Sequence, residues 1–512
     1  MSGDDDSIPE SSLAAGAASL PAFDWKGAEA LARGESSLAD EWEALDAASR
    51  AADADANDSA DEIGDDDDVE TIPLTSGGAQ SAAFSPTSDS ASREGAEVDP
   101  ADAHFVAHLK RDPYLILHRS VYFLGMGANS AYYPFAIQLW TSPDGGGLDM
   151  REAGLVYACG HMSAMIFAPV LASVADRGEA WRRGVLVGGF AGQMIAILVM
   201  SQAKSFFAIA VMQAVIEGVA SAVWTSMDSA TQRLLLVTKG STVEYGNTRA
   251  FGALGWGCLA VLYGIAFDRL GLRSGFALYC VAGLPATVIA YFVPLERRTA
   301  TTAGRATALR ALLRFDVLVI MIVVLVTAIL LQVVDIYRFP FLSSIGADNT
   351  LLGSSIFITA VSEAPFFFIT SKILDRISTK SALLVVLAGY ALRFIFYSLI
   401  GEEPFVSPWW TMPAELAHGF TFALGWAAST QYVANLLPPE LANSAQGLLA
   451  AVQWGFGSAL GSATGGAIAR AWGWRVMWRV FSALGLVTCL FLKFVGRAPT
   501  SGTAESRRFS LF

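Results

Sequence analysis

Residues that soluble enzymes and metalloproteins use for chemistry are scarce in this sequence. The 512 residues include only four cysteines and five histidines, and charged side chains make up 16% of the chain. The cysteines lie in apolar segments without C-x-x-C spacing or a histidine cluster, so they are expected to be small packing residues rather than metal ligands. H-E-x-x-H, G-x-S-x-G and a phosphate-binding glycine loop are also missing. The sequence therefore predicts a protein that is not an enzyme and uses no metal or cofactor.

Apolar residues dominate the composition, and charge is unevenly distributed. The 53% hydrophobic content and the mean hydropathy of +0.45 favour a polytopic membrane protein. Residues 1–100 hold 25 aspartates and glutamates against 4 lysines and arginines, whereas the rest of the chain holds 22 against 30. The N-terminal segment, residues 1–112, has too little apolar content to form a core. It is predicted to be a disordered acidic tail in the cytosol, available to cytosolic partners.

Twelve runs are long and apolar enough to cross a bilayer as helices, which takes roughly 20 residues each. They cover residues 115–139, 152–174, 185–202, 205–230, 248–267, 276–294, 315–341, 351–374, 381–400, 408–436, 442–469 and 475–495. An even number of spans puts both termini on one side of the membrane. That side carries 21 lysines and arginines against 8 on the other, so both termini are predicted to be cytoplasmic. The predicted fold class is an all-α membrane protein with twelve transmembrane helices.

The most basic loop, residues 294–315, divides the spans into two groups of six. The predicted organisation after the tail is an N-terminal six-helix half (113–296), a cytosolic linker (297–314), a C-terminal six-helix half (315–496) and a cytosolic C-terminal tail (497–512). An acidic-basic pair recurs after spans two and eight, as Asp176-Arg177 and Asp375-Arg376, 199 residues apart. This internal repeat predicts two pseudo-symmetric halves.

The doubled loop motif on twelve spans resembles the major facilitator superfamily. Segments such as "YGNTRAFGALGWG" (245–257) and "HGFTFALGWAA" (418–428) look like its lactose-permease-like and nucleoside-symporter-like branch. They also look like the major facilitator superfamily domain-containing protein 6 group, and the resemblance covers about residues 113–496. It implies substrate and proton handling by a glutamate, an arginine and a histidine that match Glu363, Arg393 and His418. It also implies a cytoplasmic gate, which is assigned to Asp176, Arg177, Asp375, Arg376 and Arg249.

Polar residues inside the apolar spans fall at helical spacing. Span four carries one such stripe, formed by Gln213, Glu217, Ser221, Trp224 and Asp228. The stripe occupies an arc of roughly 80°, at about 100° per residue. It is expected to face a water-filled cavity, because lipid cannot satisfy polar groups. Further candidates for the substrate and proton pathway lie on spans one, ten and eleven: Asn129, Tyr133, Trp426, Gln446 and Gln453.

These features predict secondary transport by alternating access, coupled to protons. The partners would be the lipid bilayer and a small polar solute (a sugar, a nucleoside or an organic ion), and no nucleic acid. A charge at the centre of a spanning helix costs about 2.5–3.5 kcal/mol, so Glu363 and Arg393 are expected to interact. Because burial disfavours the charged form of a carboxylate, Glu363 or Glu217 could carry the coupled proton. Two alternatives stay open: the charged residues are structural struts, or the chain is a non-transporting receptor or scaffold with a transporter-derived fold.

Overall fold

The computed structural model describes residues 113–239, 244–295, 314–436 and 442–495, and the described residues contain helices and loops but no β-strand. The predicted acidic tail, the C-terminal tail and residues 297–313 of the predicted linker lie outside the described residues. All of the described residues belong to one compact unit, Gly77–Phe512.

The first group of helices runs to residue 291. Its members are α1 (Pro113–Ser130), α2 (Ala136–Thr141), α3 (Met150–Ala175), α4 (Glu179–Met200), α5 (Phe206–Ala220), α6 (Val223–Lys239), α7 (Tyr245–Leu270) and α8 (Ser274–Tyr291). A 3₁₀ turn, Tyr133–Phe135, leads directly into α2, and a second one, Pro143–Gly145, follows it. The predicted span four is therefore interrupted between α5 and α6, at Ser221 and Ala222.

The second group begins at residue 315. Its members are α9 (Phe315–Ser344), α10 (Asn349–Leu374), α11 (Thr379–Leu399), α12 (Thr411–Gly419), α13 (Gly425–Leu436), α14 (Ala442–Ala450) and α15 (Ser458–Val495). A 3₁₀ turn (Pro408–Trp410) precedes α12, and π-helical turns (Phe420–Leu424 and Ala451–Gly457) join α12 to α13 and α14 to α15. Gly473 breaks α15 with φ of 81°, a left-handed conformation that glycine adopts without a Cβ clash. The break falls between the predicted spans that end at 469 and begin at 475.

The helices are those of a membrane protein. By length and composition, eight helical segments among the described residues could cross a membrane. Large apolar side chains such as Val281, Leu392 and Phe494 are exposed on the outside of the bundle, where lipid would cover them. The predicted class, an all-helical membrane protein, is confirmed, and the count of twelve spans stays a prediction.

Helices α3 and α10 repeat each other in detail. Each has 26 residues, and their first residues, Met150 and Asn349, are 199 positions apart. Asp149 and Asp348 cap their N-termini by accepting a hydrogen bond from the backbone N–H three residues later, the usual N-cap geometry. The offset that the loop motif predicts therefore recurs in helix length and in capping.

Close helix packing joins the two groups. On α7 and α10, a Cβ added to Gly264 would lie 2.3 Å from the carbonyl oxygen of Asn349, and one added to Gly353 would lie 2.2 Å from that of Ala260. Any larger residue would force these backbones apart, so the two glycines allow the contact. Helices α3 and α15 pack against each other in a second such contact.

Three polar contacts between the groups lie at the same end of the bundle. Gln138 donates to Ser343, and Asp149 pairs with Arg470 at 3.4 Å. In the third, the Asp268 carboxylate at the end of α7 accepts four hydrogen bonds of 2.6–2.9 Å from the backbone N–H groups and side chains of Asn349 and Thr350. These N–H groups start α10 and have no partner inside their own helix. We call the end of the bundle that carries these three contacts the latch end.

Candidate functional site

A buried carboxylate binds two arginines among the C-terminal helices. Glu415 on α12 is fully buried, and its Oε2 lies 2.8 Å from a guanidinium nitrogen of Arg393 on α11. Arg338 on α9 donates to the same oxygen, and Tyr397 donates to the other. Thr411, one turn before Glu415, lies 3.3 Å from Oε1. A single carboxylate is thus bonded on both oxygens and shared by two cations that solvent does not reach.

The predicted interaction of Glu363 with Arg393 is wrong, because a histidine lies between them. Oε1 of Glu363 on α10 lies 3.0 Å from Nε2 of His418, and Nδ1 of the same ring lies 3.2 Å from Arg393. Glu415 takes the place predicted for Glu363. A guanidinium only donates hydrogen bonds, so Nδ1 accepts, and the ring proton on Nε2 is donated to Glu363.

A third carboxylate reaches this cluster from α9. Asp335 lies one turn before Arg338 and within electrostatic range of Arg393 and His418. We call the whole cluster the C-half network; it consists of Arg338, Arg393, Glu415, Glu363, Asp335 and His418. With the histidine neutral, its net charge is −1 when all three carboxylates are ionised and zero when one proton is bound. The network can therefore hold one proton without leaving a net charge inside the membrane.

A second ion pair lies among the N-terminal helices. Oδ1 of Asp228 on α6 lies 3.5 Å from Nε of Arg249 on α7 and accepts a 2.5 Å hydrogen bond from Tyr122. The Arg249 guanidinium lies 5.3 Å from the centroid of the Tyr122 ring, and Trp224 stacks on that ring with centroids 6.2 Å apart. About a third of each charged side chain is exposed. We call this group the N-half cluster. Its ion pair and part of the Trp224 ring are accessible to solvent, whereas Tyr122 is fully buried.

The N-half cluster faces the C-half network. Arg249, which the sequence pattern groups with the cytoplasmic gate, lies within electrostatic range of Glu363 on the opposite group of helices. The guanidinium is therefore part of the central polar region as well as the partner of Asp228.

A third group of polar residues surrounds Glu217. Nε2 of Gln213 donates to Oε1 of Glu217 at 3.2 Å, and the Tyr132 hydroxyl donates to Oε1 of Gln213 at 2.8 Å. Gln193 donates to the Tyr133 hydroxyl at 2.9 Å, and that hydroxyl lies beside Glu217. The predicted stripe on span four thus divides between two clusters at the break that separates α5 from α6.

The remaining predicted pathway residues are placed less centrally. Asn129 accepts hydrogen bonds from Gln193 at 3.4 Å and from Tyr279 at 3.3 Å. Trp426 packs on Trp454 with ring centroids 6.1 Å apart. Gln446 on α14 is half-buried and Gln453 in the following π-helical turn is buried. Within the described residues, neither glutamine hydrogen-bonds to another predicted pathway residue.

The predicted gate aspartates lie at the end of the bundle opposite the latch end. Asp176 and Asp375 are exposed and follow the last residues of α3 and α10. Arg177 lies over the Trp181 ring at 5.6 Å, and Arg376 is exposed. In the parts of the chain that the structure describes, neither aspartate caps a neighbouring helix or forms an ion pair.

Three members of the C-half network are not selected by the sequence pattern: Glu415, Arg338 and Asp335. A signal for them exists, since Glu415 and His418 are spaced i, i+3, as are Asp335 and Arg338, which puts each pair on one helix face. The predicted span seven ends at residue 341, which places Arg338 near the surface. In the structure the helix continues to Ser344, and Arg338 is buried.

The chain is similar to known proteins in fold and in sequence. The solved structure of the nucleoside transporter NupG superposes with a TM-score of 0.66 over 74% of this chain and 98% of that one, at 15% identity. "Maltose permease" of Geobacillus stearothermophilus is 24% identical over 265 residues, which are 51% of this chain and 66% of the permease. "Major facilitator superfamily domain-containing protein 6-like" of Danio rerio is 25% identical over 294 residues, 56% of this chain and 53% of that protein. The chain thus aligns with between about half and two thirds of these two relatives.

The model of the MFS_1 like family matches residues 115–481, and the chain belongs to that family. Its fold is similar to that of NupG, and the two curated relatives are named as a permease and as a major facilitator superfamily domain-containing protein. The resemblance predicted from the sequence is confirmed.

Proposed function

We propose that this protein is a secondary transporter that moves a small hydroxylated solute, a sugar or a nucleoside, by alternating access coupled to a proton. The C-half network carries this proposal. Its three carboxylates exceed its two arginines by one charge, and a net charge buried among helices is costly. Uptake of one proton removes that charge. Nδ1 of His418 faces a guanidinium and Glu415 is bonded to two arginines, so Glu363, which is one-fifth exposed, is the proposed site of the exchanged proton.

The N-half cluster is the proposed solute site. Asp228 and Arg249 neutralise each other, so a neutral solute is preferred there over an ion. Their remaining donors and acceptors suit hydroxyl groups, and the exposed part of Trp224 suits the apolar face of a ring. A maltose permease and a nucleoside transporter, among the proteins similar to this one, are named for ring compounds that carry hydroxyl groups.

Twelve spans with both termini in the cytoplasm remain part of the proposal. The segment Gln446–Val495 has 50 residues, about 75 Å of helix, which is more than twice the thickness of a bilayer core. The break at Gly473 divides it into two crossings. The distribution of basic residues then places the latch end on the outside.

In an alternating-access cycle, the latch end must open when the opposite end closes. Asp268→Asn removes the charge from four hydrogen bonds that join the two groups of helices. Hydrogen bonds to charged groups contribute about 1.5–3 kcal/mol each, so loss of even one such contribution shifts the equilibrium toward an open latch end by about tenfold. The measurement is cross-linking of Gln138→Cys to Ser343→Cys in a cysteine-free background, and we expect the yield to fall severalfold.

Asp144→Asn is the matched control for this latch prediction. Asp144 is exposed in the nearby loop, and the described residues give it no ion pair. Its substitution should leave the cross-linking yield unchanged. An equal yield in the Asp268→Asn protein and its parent would show that the latch does not control closure.

The proposed solute class is tested by binding and flux. The purified full-length protein should gain thermal stability from at least one member of a panel of sugars and nucleosides, by about 2.7 kcal/mol at a concentration 100 times Kd. Proteoliposomes should take up the same compound. Arg249→Gln should lose both responses, whereas Arg151→Gln, which changes an exposed arginine at the start of α3, should keep them. Binding without any flux would favour the receptor alternative, and no response to the whole panel would contradict the proposed solute class.

A further inference from the structure

Among the described residues, no arginine, lysine or histidine forms an ion pair with Glu217. Glu415 is bonded to two arginines and Asp228 is paired with Arg249, whereas Glu363 accepts a hydrogen bond from the neutral ring of His418. Within the described residues, Glu217 accepts hydrogen bonds from the uncharged amide of Gln213 and from the uncharged hydroxyl of Tyr133. Its ionised form would therefore be compensated only by neutral dipoles.

The titratable groups around Glu217 supply no positive charge. From the segment between α1 and α2 come Tyr132 and Tyr133, and from α3 comes Tyr157, all within electrostatic range. Asp335, on the opposite group of helices, is within range of Tyr157 too, and it adds negative charge. Every one of these groups is neutral or negative at neutral pH.

Among the residues that the structure describes, His161 is the one near Glu217 that could become cationic. It stacks on Tyr157 with ring centroids 6.1 Å apart, and its Nε2 is buried without a hydrogen-bond partner. A protonated ring carries N–H groups on both nitrogens, and an unpaired one would be left in that buried position at a substantial desolvation cost. The packing therefore favours a neutral ring. A carboxyl in such surroundings is stabilised in its neutral form.

We infer that Glu217 keeps a proton throughout the transport cycle and acts as an uncharged hydrogen-bonding group for a hydroxyl of the solute. The C-half network then carries the coupled proton, and the Glu217 proton is not exchanged. Nearby, α3 packs closely: a Cβ on Gly160 would lie 2.8 Å from Cγ of Glu217. That close approach limits the space in which a water shell could form around an ionised carboxylate. The part of this inference that concerns the solute rests on the proposed function, but the protonation state does not.

Infrared difference spectroscopy of the reconstituted full-length protein at neutral pH tests the protonation state. The C=O stretch of a neutral carboxylic acid is separate from the bands of a carboxylate. We expect Glu217→Gln to remove a signal equivalent to one neutral carboxyl per chain. Glu402→Gln, which changes an exposed carboxylate paired with Arg475 at 2.9 Å, should remove none and corrects for the added amide.

A second variant guards against a folding defect. Glu217→Asp keeps a carboxyl in a changed position, so it should shift the neutral-acid band rather than remove it. A neutral-acid signal that is unchanged in both variants would overturn the inference. Because the spectrum requires no flux, a chain that moves no solute would still show the band. In proteoliposomes, a Glu217→Gln protein that still exchanges solute but has lost the wild-type response to a pH gradient would assign the coupled proton to Glu217 and overturn the inference as well.

Discussion

Replacing Glu415 with glutamine is expected to destabilise the membrane domain more than any other single substitution in the central region. The carboxylate is fully buried and compensates both Arg338 and Arg393. Removing one partner of a buried ion pair leaves an uncompensated charge and typically costs about 3–5 kcal/mol. The glutamine can still hydrogen-bond but carries no charge. The thermal unfolding midpoint of the detergent-solubilised full-length protein measures the loss.

A double variant separates charge from packing in this prediction. Adding Arg338→Met to Glu415→Gln removes one of the two unpaired cations, so the double variant should be more stable than Glu415→Gln alone. Glu402→Gln breaks an exposed pair with Arg475 and should have little effect. A Glu415→Gln protein as stable as wild type would mean that the arginines find other partners.

The all-helical membrane fold could be predicted because lipid imposes long apolar runs and satisfied backbone groups. The repeat offset of 199 residues also held, since the loop motif marks the ends of α3 and α10. Breaks inside helices were harder to foresee. Hydropathy does not distinguish a continuous helix from one interrupted at Ser221 and Ala222, because it is averaged over many residues and contains no information on backbone geometry.

Partners inside the bundle depend on distances between helices that no sequence spacing contains. Helical periodicity correctly brings Gln213 and Glu217 together, because both lie on one helix. It could not show that His418 comes between Glu363 and Arg393, because these three residues belong to three different helices. The i, i+3 spacing of Glu415 and His418 predicts that they share a helix face. That Glu415 binds two arginines, however, follows only from the packing of α9 and α11 against α12.

Glu363→Gln is expected to abolish coupling to a pH gradient while preserving the fold. Oε1 of Glu363 accepts a hydrogen bond from Nε2 of His418 at 3.0 Å, and the Glu363 side chain is one-fifth exposed. Glu363 therefore connects the rest of the C-half network to solvent-accessible space. A glutamine side chain has nearly the same shape, and its amide oxygen can accept the same hydrogen bond. It cannot bind or release a proton. The substitution also leaves the network at a net charge of zero, so thermal stability should be equal to that of wild type or higher.

Coupling through Glu363 is tested most directly in proteoliposomes that contain the full-length protein and a solute from the panel that wild type transports. Uptake is measured with and without an imposed pH gradient, and exchange of labelled for unlabelled solute is measured at equal pH on both sides. We predict that wild type accumulates the solute against its gradient, and that Glu363→Gln exchanges it but does not accumulate it. Accumulation by Glu363→Gln at the wild-type level would contradict coupling through Glu363 and reduce this residue to a structural partner of His418.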